Sequence, residues 1–428
     1  MTILLLFISL FALIFIGFPI AIALIVASLL AILYEGSIPS VVVLHQMVGG
    51  MDSFPLLSIP FFVMAGALMN QGGITHRIFD FAQALVGWLR GGLGHVNVGA
   101  SVLFSGMSGA AVADAGGLGA IEINAMKERG YDTDFAVGLT AASSTIGPII
   151  PPSLPMIIYG VLASESIGKL FAAGLVPGLL MALALSLMVA FVAYKRGYQK
   201  DAGFAFSTIL STFKRAGLSL MTPFIIVGGI VSGFFTATEA AVVACVYAII
   251  LTGFVYKTLT LKRLLTVSSE TVETTSMIML IIGGAAIFSW VLTSQGIDAV
   301  VADFLAQTGT SKVTLYLCIT LLLFIVGCFM ETIAAITILT PILLPIAIAA
   351  GIEPVQFGII MLLNLMIGLL TPPLGMVLFV LARVSGLTVE KTAKATMPFL
   401  LPLIIVLVLT MLVPEVTLWL PNLLYPNT

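Results

Sequence analysis

Apolar runs of about 18 to 28 residues recur from one end of this chain to the other. Each is long enough to cross a hydrocarbon layer of about 30 Å. Hydrophobic residues make up 60% of the 428 positions and charged residues 8%, where a soluble domain carries about 25% charged residues. A chain of this kind has no water-soluble fold and must be an all-α polytopic membrane protein. The first run, Ile3 to Leu33, has neither a basic leader nor a small-residue cleavage site, so it reads as a permanent span and not a signal peptide.

Crossings are expected near 5–33, 56–73, 135–162, 170–194, 217–233, 236–256, 270–294, 355–382 and 396–413. Two further stretches, 94–127 and 313–350, are apolar but interrupted halfway. If each is a re-entrant hairpin, fifteen of the 17 Lys and Arg residues fall on one face, among them Arg77, Arg90, Lys127, Arg129, Lys214 and Arg263; Lys169 and Lys312 fall on the other. Reading either stretch as a full crossing spoils that segregation. The basic face is cytoplasmic, which predicts a cytoplasmic N-terminus and a periplasmic C-terminus in a bacterial inner membrane. The polar connector Tyr194–Ala216 then lies in the cytoplasm, as a solvated loop or against anionic lipid.

The chain also repeats itself. Sliding it by 221 residues superimposes Gly106, Gly130, Ile146, Gly147, Pro151, Pro152 and Pro177 on Gly327, Gly351, Ile367, Gly368, Pro372, Pro373 and Pro398. With a small shift, Gln71 and Ile74 meet Gln295 and Ile297. The expected topology gives the two copies opposite orientation. Inverted repeats with equivalent broken helices are a plan of secondary transporters, whose substrate and ion sites lie at the breaks.

The breaks are Ser143-Ser144-Thr145-Ile146-Gly147-Pro148-Ile149-Ile150-Pro151-Pro152-Ser153 and Ile367-Gly368-Leu369-Leu370-Thr371-Pro372-Pro373. Proline lacks an N–H and crowds the carbonyl four residues back, so the carbonyls of Gly147, Pro148, Gly368 and Leu369 are expected to lose helical partners. Each break should face the tip of its own hairpin, Phe104–Gly109 or Gly327–Thr332. Hydroxyls and backbone oxygens there suit a hard monovalent cation such as Na+; the plainer alternative is that Gly and Pro only kink and pack the helices.

Asp114 and Glu331 sit at or beside the tips, as functional carboxylates or as helix caps. Glu122 and Glu239 read as interfacial, snorkelling or capping. The stripe Thr140, Ser143, Ser144 and Thr145, with Asn364 aligned to Ser143, and Thr332 at the second tip, could bond a substrate or a neighbouring helix. Cys245, Cys318 and Cys328 show no paired spacing, His45, His76 and His95 are scattered, and no P-loop occurs. Nothing suggests enzyme chemistry or a nucleic-acid partner. Coupling must come from an ion gradient or another protein.

The strings SGMSGAAVADAGGLGAIEINAMKERGYDTDFAVGLTAASSTIGPIIPPS and GCFMETIAAITILTPILLPIAIAAGIEPVQFGIIMLLNLMIGLLTPP resemble the large membrane subunit of the tripartite ATP-independent periplasmic (TRAP) transporters, and the likeness covers essentially the whole chain. The resemblance implies a Na+-driven elevator, a small four-helix membrane subunit and a periplasmic binding protein that delivers a small organic anion. It places one cation site at Ser105, Ser108, Gly147, Ile150 and Pro152, and a second at Gly327, Gly368, Thr371 and Leu374. Asp114, Glu331, Thr332, Ser143, Ser144 and Asn364 remain substrate or gating candidates. It also implies scaffold helices in 1–90, 166–235, 236–310 and 386–428, with transport segments at 91–165 and 311–385. The chain starts directly with a span, so the small subunit is expected as a separate polypeptide. Sialic acid is the favoured substrate and C4-dicarboxylate the runner-up; a channel, a sensor or a membrane-embedded enzyme are the readings from other classes.

Overall fold

A computed structural model describes residues 1–201, 203–296 and 311–426, apart from the side chains of residues 106–108. Its regular elements are helices, with one isolated β-bridge, Arg90 to Lys200, among the described residues. Ile297, used in matching the repeats, lies outside them.

Hydroxyl and carboxylate side chains set many of the helix starts. Ser153, Ser166, Thr236, Thr260, Ser311 and Thr388 each accept an N–H from the first turn that follows, satisfying donors that a helix cannot pair by itself. Glu239 completes a capping box with Thr236, so it caps as its position suggested.

The first hairpin consists of α6 (Gly92–Ser108), the short α7 (Ala111–Gly116) and α8 (Leu118–Glu128), which follow α1 (Thr2–Ile16), α2 (Ile20–Glu35), α3 (Val41–Met51), α4 (Ser58–Gln71) and α5 (Ile74–Val86). Both of its ends are held at Asp201. Leu93 N donates to Asp201 Oδ2 at 2.8 Å, Arg129 Nη1 donates to the Asp201 carbonyl at 3.0 Å, and the Tyr131 hydroxyl donates to the same carboxylate. The segment therefore enters and leaves on one side. A broken helix follows, α9 (Thr133–Ser144) and α10 (Leu154–Ala163), and then α11 (Ile167–Arg196), whose Arg196 returns to Asp132 at 2.7 Å.

After α12 (Phe206–Val231), α13 (Ala237–Ile250) and α14 (Leu261–Ser294), the plan recurs. The arms of the second hairpin are α15 (Lys312–Phe329) and α16 (Thr332–Ala349), joined at their base by Lys312 Nζ donating to Gly351 O at 3.1 Å. By length and composition each 18-residue arm could cross a membrane. The tip at Gly327 instead stops against Gly368, midway along the second broken helix, α17 (Pro354–Gly368) and α18 (Met376–Ser385). The chain ends with α19 (Val389–Leu412) and α20 (Glu415–Leu424).

Two contacts establish the inversion. Tyr159 Oη, late in α10, donates to Pro354 O at the start of α17 (2.6 Å), and Lys127 Nζ, at the end of α8, donates to Ser385 O at the end of α18 (2.8 Å). The broken helices thus run antiparallel, and the hairpins enter from opposite ends.

The structure corrects the expected crossing at 5–33, which is two helices. Gly17 takes φ 98° at the end of α1, and Pro19 precedes α2. Thr2 Oγ1 donates to Glu35 Oε2 at 2.8 Å, so the segment returns to where it began. No charge marks this turn, which is why an apolar run concealed it. Gln295 Nε2 also donates to Glu35 Oε2, at 3.0 Å, placing the N-terminus at the end of α14 opposite Arg263; this corrects the expected N-terminus on the basic face, which a single crossing at 5–33 would require. Helices also occupy stretches read as loops: α3, the amphipathic α5 and α20. The connector contracts to 197–205, because α11 and α12 carry their basic ends beyond the apolar windows.

Candidate functional site

Each break is fenced by the tip of its own hairpin. In the first repeat a Cβ on Gly109 would lie 3.4 Å from Leu154 N and 3.5 Å from Pro152 O, and a Cβ on Gly147 would strike Asp114 Oδ2. The Asp114 carboxylate therefore lies directly on the backbone of the break. Ser105 is buried, its Oγ donating to Val102 O at 2.6 Å. Ile150 and Pro152 are buried as well. The Ser108 side chain lies outside the described residues.

In the second repeat the backbones of Gly327 and Gly368 meet. Thr371 Oγ1 lies 2.8 Å from both Gly368 O and Cys328 Sγ. The cysteine is thus part of the second constellation, a role its spacing could not disclose. The two breaks differ in exposure: Ile150–Ser153 is buried, whereas Pro372 and Pro373 are exposed and Leu374 is 45% exposed.

Two of the four carbonyls expected to lose partners find them close by. Pro148 O accepts Ser153 Oγ at 2.5 Å, and Gly368 O accepts both the N–H and the hydroxyl of Thr371. A side chain a few residues beyond each break replaces the lost helical donor. Such hydroxyls retain oxygen lone pairs that can face a cation, so the donor sets fit a hard monovalent ion.

Between the two tips and the two breaks lies a cavity of about 130 Å³, lined by Gly109–Val112, Pro148, Leu154 and Pro155 from one repeat and by Glu331–Ile333, Met366, Leu369 and Met376 from the other. The start of α10 supplies one wall, with the positive end of its dipole. The start of α16 supplies another, but there Glu331 Oε2 accepts Ile333 N (2.9 Å) and Ala334 N (3.2 Å). Glu331 is a helix cap at the cavity wall, the second of its two alternative readings. Thr332 stands beside it, buried.

The polar stripe faces helices, not this cavity. Ser143 Oγ donates to Asn97 Oδ1 (2.6 Å), and Asn97 Nδ2 donates to Glu122 Oε2 (2.6 Å) and Thr140 Oγ1 (2.7 Å). Ser144 bonds back to Ala141 O, and Asn364 Nδ2 bonds back to Ile360 O at 2.8 Å. The interfacial reading of Glu122 is incorrect: it is 1% exposed, in a network joining α6, α8 and α9. Its neighbours in sequence include Lys127 and Arg129, which gave the segment an interfacial look. Asn97 carried no sequence signal beyond being an amide in an apolar arm.

Paired hairpins facing paired broken helices of opposite sense define a secondary transporter fold. A family model described as "Tripartite ATP-independent periplasmic transporter, DctM component" matches residues 7–416, and the chain belongs to that family. It is 47% identical over 411 residues to the sialic acid TRAP transporter large permease protein SiaM of Vibrio cholerae, covering 96% of each chain. Identity is 45% to the sialic acid TRAP transporter permease protein SiaT of Haemophilus influenzae, over 96% of this chain and 67% of that one. It is 40% to the C4-dicarboxylate permease DctM of Pseudomonas aeruginosa, over 87% of each. The crystal structure of the Alcanivorax borkumensis YdaH transporter shares the fold, with TM-score 0.64 and 14% identity over 86% of this chain and 87% of that one.

Proposed function

We propose that this TRAP permease imports a small organic anion in symport with Na+. The observation that carries the reading is a cavity lined by residues of both hairpin tips and both breaks. Among the described residues no Lys or Arg lines it, so an anion there relies on the α10 N-terminus and on the positive charge of cations held at the breaks. Sialic acid is the favoured substrate, because the relatives named for it share 47% and 45% identity against 40% for the C4-dicarboxylate permease.

At about 130 Å³ the cavity is smaller than the roughly 300 Å³ typical of the smallest ligand sites. Admission of substrate therefore requires the tips to part. The hairpins and broken helices, 91–165 and 311–385, form the moving body of an elevator, and the remaining helices form its scaffold. A small membrane subunit and a periplasmic binding protein complete the system. With the basic face in the cytoplasm, both termini lie on the periplasmic side.

The test is uptake by proteoliposomes containing this chain, its small subunit and a loaded binding protein, followed against Na+ concentration. Thr371→Val and Ser105→Ala each remove a hydroxyl from one cation site. Loss of one ligand should raise the half-saturating Na+ concentration by roughly tenfold to a hundredfold. An unchanged Na+ dependence would remove these side chains from the sites, and uptake without Na+ would overturn the coupling.

A further inference from the structure

A second cavity, of about 410 Å³, lies well away from the breaks, between α5, α6 and α11. Its walls are almost wholly aliphatic, and its floor is small-residued at Gly99, Ala182 and Ser186. A Cβ on Gly99 would touch only Val86, at 3.7 Å, so the space above it is open. The rim residues Leu85, Leu183 and Leu187 are 44%, 57% and 63% exposed, which opens the groove sideways to the lipid phase.

One end of the groove differs. Leu89 and His95 line it where α5 passes into α6, and Ala190 lines it one turn before Tyr194. Arg90 follows Leu89; its guanidinium lies 5.4 Å from the Tyr194 ring centre, and its Nε donates to Tyr198 O at 3.1 Å. The β-bridge brings Lys200 beside it. Both basic residues are exposed, and the Asp201 carboxylate nearby is engaged by Leu93 N and Tyr131.

We propose that this groove is a binding site for an anionic diacyl phospholipid of the cytoplasmic leaflet, one acyl chain lying between α5, α6 and α11 and the phosphate held by Arg90 and Lys200. The site is amphipathic along its length in the sense of such a lipid, apolar toward mid-membrane and cationic at the cytoplasmic face. The pairing of an aliphatic groove with two exposed cations at one end favours a lipid, and a helix of the small subunit packed across the same rim is the rival occupant that crosslinking tests. The lipid would bridge the amphipathic α5 to the hairpin, two elements that the elevator mechanism assigns to different bodies.

Native mass spectrometry of the purified transporter, titrated with phosphatidylglycerol or phosphatidylcholine, tests the assignment. The wild type should bind one phosphatidylglycerol in preference to phosphatidylcholine. The pair Arg90→Gln and Lys200→Gln should lose about thirtyfold of that preference, the effect of two basic groups at a membrane surface. Gly99→Leu should exclude both lipids, and Ala182→Leu serves the same purpose if that variant folds poorly. No preference in the wild type, equal retention by the charge variant, or crosslinking of a cysteine at Leu183 to the small subunit would each overturn the proposal.

Discussion

Gly327 and Gly368 lie backbone against backbone: a Cβ on Gly368 would stand 2.7 Å from the Gly327 Cα. The second hairpin tip therefore closes on the second break only because neither residue has a side chain.

Gly368→Ala should push the tip off the break. Overpacking of a tight contact costs roughly 1–3 kcal/mol, and the displacement also moves Cys328 away from Thr371, 2.8 Å apart in the native arrangement. Expected results are a lower melting temperature and a raised half-saturating Na+ concentration. Native values for both would mean that the contact is not maintained during transport.

Asn97 is the hub of the first hairpin, and Asn97→Leu keeps its size while removing donors to Glu122 and Thr140 and the acceptor for Ser143. Each buried polar group left without a partner costs roughly 1–3 kcal/mol. Replacing Glu122 by leucine as well removes one orphan, so the double variant should melt higher than the two single losses predict. Strict additivity in thermal unfolding would show that the network is not coupled.

Much of this architecture was legible because membrane physics leaves few options. Segregation of Lys and Arg selected the hairpins, and Pro151–Pro152 and Pro372–Pro373 marked the breaks by chemistry alone. The return of the chain at Gly17–Pro19 was hidden because no polar residue interrupts that run. The contacts of Asn97, Glu122 and Cys328 were not legible for a different reason. Their partners lie 25 to 46 residues away, and single polar residues on apolar helices carry no spacing that reveals a tertiary neighbour.

Outside the membrane, the Tyr198 hydroxyl and then Arg196 hold the Asp132 carboxyl below its ordinary range. A depressed carboxyl contributes stability that is present above its unfolded value of about 3.9 and is lost as pH falls through the folded one. The Asp132 side chain is 55% exposed, so the contribution should stay under about 1 kcal/mol. Asp132→Asn should melt slightly below wild type at neutral pH, and the gap should close as pH falls below the ordinary carboxyl value of about 3.9. A gap that persists unchanged in acid would assign the effect to geometry instead of charge.

The last prediction concerns the N-terminus, where Thr2, Glu35 and Gln295 form one hydrogen-bonded cluster. Arg263 stands at the opposite end of α14, a 34-residue helix, and basic residues mark the cytoplasmic face. The cluster is therefore expected on the periplasmic side. At the C-terminus, a Cβ on Gly168 would lie 2.5 Å from the Tyr425 hydroxyl, beside Lys169 in the first turn of α11. Single cysteines at Gly36 and at Tyr425 should both react with an impermeant maleimide added to intact cells, whereas a cysteine at Gly203 should react only after permeabilisation. The native cysteines, of which Cys318 is exposed on a hairpin arm, would first be replaced by serine or alanine. If Gly36 were also labelled but a cysteine at Met1 were protected, α1 and α2 together would make one full crossing and the hairpin formed by Thr2 and Glu35 would be wrong. Labelling at both positions requires the chain to turn back at Gly17, leaving the rest of the topology as the basic residues dictate.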